Sequence, residues 1–214
     1  RKFLRDCQEA GIEVIDLLPL LLEVKKDDST HDEALYQRQD THWTNRGLQI
    51  AATAVADRIK KYAWIGALAE HETEYSTRDT TFQRQGDIVD KLPAEKQKSF
   101  PAVTLKATQV LTPEGKLFNA RRNVEAPILL MGDSFTGVFE LIDCKGAGIG
   151  ANMAAQLNAP VDVVTSWGGG PMVPNKMLRT HTKYLPYKRV VIYIMVARDL
   201  YDYANGWQPL KTGK

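Results

Sequence analysis

Cysteine is scarce in this sequence, and no long segment carries charges of one sign. The only two cysteines among 214 residues are Cys7 and Cys144. They permit one disulfide without requiring it, and two buried or unreactive thiols are the simpler expectation because cysteine is among the residues most often buried. The 28 Lys and Arg residues nearly balance the 26 Asp and Glu residues, giving a formal net charge of +2. We therefore predict no nucleic-acid partner, since such proteins usually carry a large basic excess.

Long hydrophobic runs, internal repeats and low-complexity tracts are also missing. The longest apolar run, residues 190–197, is far shorter than the ~20 residues that span a bilayer. The hydrophobic share of 43% is that of an ordinary globular protein, which excludes a mainly disordered or fibrous chain. The sequence begins at Arg1 and not at Met. We expect that a leader or anchor has been removed or that a longer chain contains this one.

Two helices are predicted in the first part of the chain. The first covers residues 1–10 and ends at Gly11, and the apolar run 12–18 after it predicts a short strand. The second helix begins at Thr44, a residue suited to the N-cap position. Its apolar residues recur at helical spacing: Leu48, Ala51, Ala52, Val55, Ile59 and Tyr62.

Three nearly continuous apolar runs follow later, at residues 128–131, 161–164 and 190–197. Such runs are typical of parallel strands that are buried on both faces. The helical stretches at about 151–157 and 175–184 supply the crossovers between them. We therefore predict an α/β fold, a three-layer α/β/α sandwich with a mainly parallel sheet.

The segment at about residues 70–126 differs from the rest because it is polar and punctuated by Pro and Gly. Residues 103–111 predict one strand, and residues 113–116 predict a turn. We interpret the whole segment as an irregular insertion. The sequence is accordingly expected to form a single domain over residues 1–214.

A serine directly after the first of the three apolar runs is a candidate nucleophile. The chain there reads Gly132-Asp133-Ser134-Phe135. A serine in this place lies on a tight turn at the carboxyl edge of the sheet, where ligands bind in such folds. Backbone N–H groups at the start of the following helix can stabilise an oxyanion. Because Gly-Asp-Ser is common in turns, an ordinary turn is the alternative interpretation.

A candidate base precedes the helix at Thr44, in the motif Asp40-Thr41-His42-Trp43. A serine hydroxyl needs a base to remove its proton, and that base is usually a histidine oriented by a carboxylate. Residues two positions apart on extended backbone point the same way. Asp40 is thus able to hold one ring nitrogen of His42 while the other faces a nucleophile. The alternative is an ordinary surface histidine in a loop before a helix.

The two motifs together resemble the alginate O-acetyltransferase branch of the SGNH hydrolase-like superfamily, over roughly residues 12–199. In ordinary SGNH hydrolases the Gly-Asp-Ser block comes first. Here Asp40 and His42 precede Ser134, as in the circularly permuted acetyltransferase branch, which argues against a plain lipase or esterase. Further similar segments are Thr44-Asn45-Arg46-Gly47, Gly86-Asp87-Ile88-Val89, Leu92-Pro93 and Pro160-Val161-Asp162-Val163.

The resemblance implies a Ser-His-Asp catalytic triad. Ser134 would be the nucleophile, His42 the general base and acid, and Asp40 the residue that orients His42. The oxyanion hole would use the Ser134 N–H and one N–H of the run Gly168, Gly169 and Gly170. The Gly-x-Asn block that supplies an asparagine to the oxyanion hole in SGNH hydrolases is missing after residues 190–197.

Arg198 stands where the superfamily has its third block, and the acetyltransferase branch often has an arginine there. It is expected to contact substrate or stabilise charge, with a salt bridge at the strand end as the alternative. Trp167 is a candidate platform for a sugar ring, whereas Trp43 is expected to pack against the sheet edge. No metal site is predicted, since His31, His71 and His181 lack metal-ligand spacing.

The function that these resemblances imply is transfer of acetyl groups to an alginate-like exopolysaccharide through an acetyl-serine. The alternatives are a carbohydrate acetyl esterase and a non-catalytic polysaccharide-binding domain. The resemblance further implies no cofactor, a polysaccharide acceptor, and a membrane acyltransferase partner that supplies acetyl groups. It also implies a periplasmic or extracytoplasmic location, with any membrane anchor in a segment outside this chain.

Overall fold

A parallel sheet and an antiparallel hairpin carry the architecture. The structure is a computed structural model that describes residues 2–26, 34–69, 74–120, 123–167, 169–200 and 210. Its strands are β1 Ser76–Arg84, β2 Val103–Leu111, β3 Ile128–Gly132, β4 Val161–Thr165 and β5 Val190–Ile194. Its α-helices are α1 Lys2–Glu9, α2 Leu17–Lys25, α3 Asn45–Ile59, α4 Ala63–Ala69, α5 Ala94–Gln97, α6 Ser134–Gly137, α7 Ile149–Leu157 and α8 Val173–His181.

The three predicted apolar runs form one sheet in the order β4-β3-β5, with all strands parallel. Ile128 of β3 is level with Val161 on one side and with Val190 on the other. Every residue of β3 and β4 is buried, which explains their continuous apolar character. The prediction of a parallel sheet is confirmed.

Helices cover both faces of this sheet. Successive side chains of a strand point to opposite faces. Ile128 and Leu130 therefore belong to the larger core cluster, to which α3 and α7 also contribute. Leu129 and Met131 pack on the other face with Val173 of α8. The predicted three-layer α/β/α arrangement is confirmed.

The helix predicted at Thr44 is present as α3. Thr44 is its N-cap, and its side chain accepts a hydrogen bond from the Gly47 N–H. A Cβ on Gly47 would overlap the Leu35 carbonyl oxygen, so glycine allows the preceding loop to lie against the helix. This close approach matters because that loop carries Asp40 and His42.

The strand predicted at residues 12–18 is wrong. Residues 12–16 form no regular element, and α2 begins at Leu17 after the N-cap Asp16. Pro19 lies in the first turn of this helix, where a missing N–H costs no intrahelical bond. A short apolar run fits a helix as well as a strand, and the capping aspartate favours the helix here.

The segment interpreted as an irregular insertion contains a regular two-stranded sheet. β1 and β2 pair in antiparallel register from Ser76 opposite Leu111 to Arg84 opposite Val103. The strand β2 was predicted, whereas β1 was missed because most of its side chains are polar. Ala107 and Val110 of β2 are buried in the main core, so the hairpin is anchored on the helices.

Two expectations about the whole chain concern its cysteines and its hydrophobic helices. Cys7 and Cys144 are both free thiols, the former half-buried and the latter buried. Burial raises the pKa of the Cys144 thiol, which disfavours the reactive thiolate form. No helix within the described residues combines the length and apolar character that crossing a bilayer requires.

Candidate active site

Ser134 begins α6 directly after the central strand β3, on the predicted strand–turn–helix. Asp133 is the N-cap, and its Oδ1 accepts a hydrogen bond of 2.9 Å from the Phe135 N–H. A Cβ on Gly132 would overlap the Thr136 hydroxyl, so only glycine allows this turn to be so tight. Ser134 is half-buried while its neighbours on both sides are buried. Ser134 therefore keeps some solvent access at the carboxyl end of β3.

Asp40 and His42 form the predicted pair. Asp40 Oδ1 lies 2.6 Å from His42 Nδ1 and also accepts a 2.9 Å hydrogen bond from the His42 backbone N–H. Both residues are buried. His42 Nε2 is buried and has no hydrogen-bond partner among the described residues. The hydrogen-bonding capacity of this nitrogen is therefore unused within the described part of the chain.

Arg84 and Asp87, which the sequence analysis did not single out as site residues, hold the second oxygen of Asp40. Asp40 Oδ2 accepts hydrogen bonds from Arg84 Nε at 2.9 Å, Arg84 Nη2 at 2.6 Å and the Asp87 N–H at 2.8 Å. Burial raises the pKa of Asp40, but the hydrogen bonds from His42, Asp87 and Arg84 outweigh it and hold this pKa well below its usual range. Asp40 is therefore a carboxylate at neutral pH.

Asp87 also fixes the loop that carries the pair. Its carboxylate accepts hydrogen bonds from the Thr41 N–H at 2.8 Å and the Thr41 hydroxyl at 2.6 Å. A Cβ on Gly86 would overlap the Gln39 carbonyl oxygen, so the Gly-Asp pair is needed for this contact. The Gly86-Asp87 segment is recognisable in the sequence. Its contact with Thr41, 46 residues earlier, cannot be inferred from the neighbouring residues.

Oxygen and nitrogen atoms of Asp40, His42 and Asp87 lie within 4.8 Å of one another, a spacing that suits a metal ion. Their surroundings fit a cation poorly. The acceptor atoms of Asp40 already receive N–H donors, and two of these come from the positively charged Arg84. The arrangement is that of a hydrogen-bonded carboxylate–histidine pair.

Phe135 brings the serine motif and the histidine motif together. Its ring centroid lies 4.9 Å from that of His42 and 5.5 Å from that of Trp43. Trp43 is 4% exposed, so its predicted packing role is confirmed. No hydrogen bond joins His42 Nε2 to Ser134 within the described part of the chain. The contact between nucleophile and base stays a prediction.

The glycine run after β4 is only partly suited to an oxyanion hole. Gly168 lies outside the described residues. The Gly170 N–H donates a 3.1 Å hydrogen bond to Asp199 Oδ2, and its carbonyl accepts one from the Tyr193 hydroxyl. Because its N–H is already used, Gly170 does not fit the role of oxyanion donor. Gly169 has φ 140° and ψ 133°, a conformation that favours glycine.

Arg198 and Trp167 lie close to α6. The Arg198 Nη2 is 3.9 Å from Asp133 Oδ2, a loose ion pair, and its guanidinium carbon lies 5.5 Å from the Phe135 ring centroid. A Cβ on Gly137 would lie 3.1 Å from the Trp167 ring, and Trp167 is 46% exposed. A cation and an exposed aromatic ring thus border the turn that carries Ser134.

Asp133 is buried beside these groups. Burial and the neighbouring Asp199 carboxylate raise the pKa of Asp133 against the opposing effect of the Phe135 N–H. Its Oδ2 has no hydrogen-bond partner among the described residues. The nearby Arg198 side chain is 46% exposed, which leaves it accessible to a ligand.

Residues 1–193 match the family model ALGX, an SGNH hydrolase-like domain of the acetyltransferase AlgX. The match includes the serine and histidine motifs and stops five residues before Arg198. No curated protein sequence matches the chain significantly.

The solved structures that share the fold include the following two. The O-acetyltransferase domain of Pseudomonas putida AlgJ is similar with a TM-score of 0.64 and 20% identity, over 91% of this chain and 62% of that one. Pseudomonas aeruginosa AlgX is similar with a TM-score of 0.57 and 16% identity, over 90% of this chain and 41% of that one. The chain thus spans about three fifths of the AlgJ chain and two fifths of the AlgX chain.

Proposed function

Because the chain belongs to the SGNH hydrolase-like acetyltransferase family of AlgX, we propose that it transfers acetyl groups to hydroxyls of an alginate-like exopolysaccharide. The observation that carries the proposal is the buried Asp40–His42 pair, whose Nε2 is without a partner, packed through Phe135 against the Ser134 turn. A carboxylate-oriented histidine near a half-buried serine that keeps some solvent access is an arrangement suited to acyl transfer.

The first half-reaction acetylates the serine. His42 Nε2 takes the proton of the Ser134 hydroxyl while Ser134 Oγ attacks the carbonyl carbon of the acetyl donor. The negative charge of the tetrahedral intermediate falls on the former carbonyl oxygen, which the N–H groups of Ser134 and of Gly168 or Gly169 stabilise. The bond to the leaving group then breaks, and the leaving group takes the proton from His42. Acetyl-Ser134 remains.

The second half-reaction releases the product. His42 Nε2 removes the proton of a sugar hydroxyl, and the sugar oxygen attacks the acetyl carbon. The bond to Ser134 Oγ breaks, and Ser134 regains a proton from His42. Throughout, the ionised Asp40 stabilises the imidazolium that forms on His42. The same residues hydrolyse the acetyl-enzyme when water replaces the sugar, which is the esterase alternative.

The border of the site supports a sugar acceptor. The exposed Trp167 ring offers an apolar face for a sugar ring, and Arg198 offers a cation for a carboxylate of an acidic sugar. The match to an acetyltransferase family favours transfer over hydrolysis. The periplasmic location and the membrane acyltransferase partner rest on the motif resemblance, and we include them in the proposal on that basis.

Intact-mass spectrometry after brief exposure to an activated acetyl ester tests this function. Wild type is expected to gain one acetyl group, whereas Ser134→Ala and His42→Ala gain none. Ser76→Ala is the matched control, because Ser76 is an exposed serine in the first position of β1. Discharge of the adduct by added oligosaccharide supports transfer, and equal discharge by water alone supports the esterase. A wild type without a Ser134-dependent adduct contradicts both and favours a binding domain.

A further inference from the structure

A guanidinium from the hairpin occupies the far side of the Asp40 carboxylate. Arg84 is the last residue of β1, 44 positions along the chain from Asp40, and no motif includes it. Two of its N–H groups reach the same oxygen, Oδ2, at 2.9 and 2.6 Å. The Asp40 side chain is fully buried and that of Arg84 is 16% exposed, so water screens this ion pair little.

The contacts of Asp40 divide its two oxygens between two tasks. Oδ2 accepts from Arg84 twice and from the Asp87 N–H, while Oδ1 accepts from the backbone and the ring of His42. A carboxylate offers about four lone-pair positions, so these donors occupy it fully. Rotation of the carboxylate would break several of these bonds at once. Arg84 therefore fixes which oxygen faces His42 and at what angle.

Arg84 is itself held from two further directions. Its Nη1 forms an ion pair with Asp143, which follows the π-helical turn Val138–Ile142. Two residues before Arg84, Phe82 packs edge-to-face on Phe139, with ring centroids 5.6 Å apart. The end of β1 is thus attached to the segment that continues from α6, and the hairpin places Arg84 accurately.

We infer that Arg84 is a positioning residue that holds Asp40 oriented toward His42, and that the β1–β2 hairpin is thereby part of the active site. The consequence for the rate rests on the proposed function. The consequence for the Asp40–His42 hydrogen bond does not, because it is a property of the folded chain alone.

Loss of the Arg84 charge is expected to shift the pH dependence of the activity in one direction, which a loss of packing alone would not do. The groups around His42 are the carboxylates of Asp40, Asp87, Asp143 and Asp133 and the cation of Arg84, with Arg198 beyond Phe135. Removing Arg84 leaves the negative charges in excess. The Asp40–His42 pair then binds its proton more tightly, and enzyme with a neutral base appears only at higher pH.

The experiment compares Arg84→Met with Arg84→Lys and with Arg78→Met in the full chain. Arg78 lies on the same strand, is exposed and donates to the Gln109 side chain, so its variant loses the same charge away from the site. Two readouts are used: the low-field proton NMR signal of the His42 Nδ1–H, assigned with His42→Ala, and the pH dependence of kcat/KM for an activated acetyl ester.

In Arg84→Met we expect the low-field signal to be lost through exchange with water and kcat/KM to fall by about 10- to 100-fold. The acid limb of the pH profile moves up by about half a unit to one unit. Arg84→Lys restores the position of the acid limb, because the charge remains, but only part of the rate. Arg78→Met keeps the wild-type signal and acid limb.

An Arg84→Met protein that keeps both the low-field signal and the acid limb overturns the inference, even when its melting temperature falls. If this variant does not fold, Arg84→Met/Asp143→Asn removes both charges of the outer ion pair and takes its place in the NMR test. A wild type that forms no acetyl-serine defeats the proposed function, whereas the NMR signal still decides the role of Arg84.

Discussion

The two sides of the candidate site are built in opposite ways. On the histidine side, Asp40 is paired with Arg84 and receives hydrogen bonds on both oxygens. On the serine side, Asp133 Oδ2 and the Thr136 hydroxyl are buried without hydrogen-bond partners among the described residues, and Ser134 is half-exposed. The proposed base is therefore held in place by the folded chain itself, whereas the surroundings of the proposed nucleophile have polar groups left to be satisfied.

Two buried carboxylates make the same contrast in terms of charge. Asp40 has a cation beside it and a pKa well below its usual range. Among the residues that the structure describes, Glu140, on the turn after α6, receives only backbone N–H donors such as that of Ala151. Burial raises its pKa to about 7. A buried carboxylate stays ionised where a guanidinium faces it and becomes a weak acid where only amides do.

The largest expected effect comes from a substitution on the histidine side of the site. Asp40→Asn places an amide between Arg84 and His42. If the amide oxygen accepts from Arg84, the amide N–H groups face the His42 ring, which then loses its acceptor at Nδ1. We expect kcat/KM for an activated acetyl ester to fall by about 10³- to 10⁴-fold. Asp57→Asn, on the exposed surface of α3, is the control for loss of one carboxylate. A loss below tenfold would show that His42 needs no oriented carboxylate.

A smaller effect is expected on the serine side, in stability and not in rate. Glu140 has a pKa of about 7 in the folded protein against 4.5 for the ordinary group. The folded state thus holds this proton more tightly than the unfolded state. The bound proton raises the free energy of unfolding by on the order of 3 kcal/mol below pH ~4.5. This contribution is lost as pH rises through 7.

Urea unfolding of wild type and Glu140→Gln between pH 5 and pH 8 measures this loss. Wild type is expected to lose stability relative to the variant as pH rises, since glutamine carries no charge at any pH. Glu95→Gln, on the exposed surface of α5, is the control. Parallel pH curves for wild type and Glu140→Gln would contradict the assignment of a weak acid at this position.

The smallest effect is expected at the rim. Trp167→Ala removes the exposed ring beside α6 and should raise KM for an oligosaccharide acceptor by about tenfold, the equivalent of ~1.4 kcal/mol. The change should fall on the acceptor step more than on formation of the acetyl-enzyme. Tyr187→Ala, an equally exposed aromatic residue just before β5, serves as the comparison. Equal effects of both substitutions would remove Trp167 from the acceptor site.

The sequence predicted those features that local patterns determine. Apolar runs identified β3, β4 and β5, because strands buried on both faces need apolar side chains throughout. The two-residue spacing of Asp40 and His42 indicated their contact, since side chains at i and i+2 of extended backbone share a face. The resemblance to the acetyltransferase branch is confirmed by the family match.

Features that depend on distant contacts were not predictable in this way. The polar strand β1 is specified by its pairing with β2, and its own side chains carry little strand signal. Arg84 lies beside Asp40 because the hairpin places the end of β1 there. The use of the Gly170 N–H by Asp199 likewise depends on the segment after β5, 29 residues further along the chain.

The Arg84 contact changes what counts as the minimal catalytic fragment of this fold. The hairpin between residues 76 and 111 looks like a candidate for removal when a smaller protein is designed, because the parallel sheet contains neither of its strands. Its deletion would leave the buried Asp40 without its counter-ion and the His42 ring without a fixed partner. The β1–β2 hairpin and the candidate active site must therefore be kept together when the fold is shortened or moved into another protein.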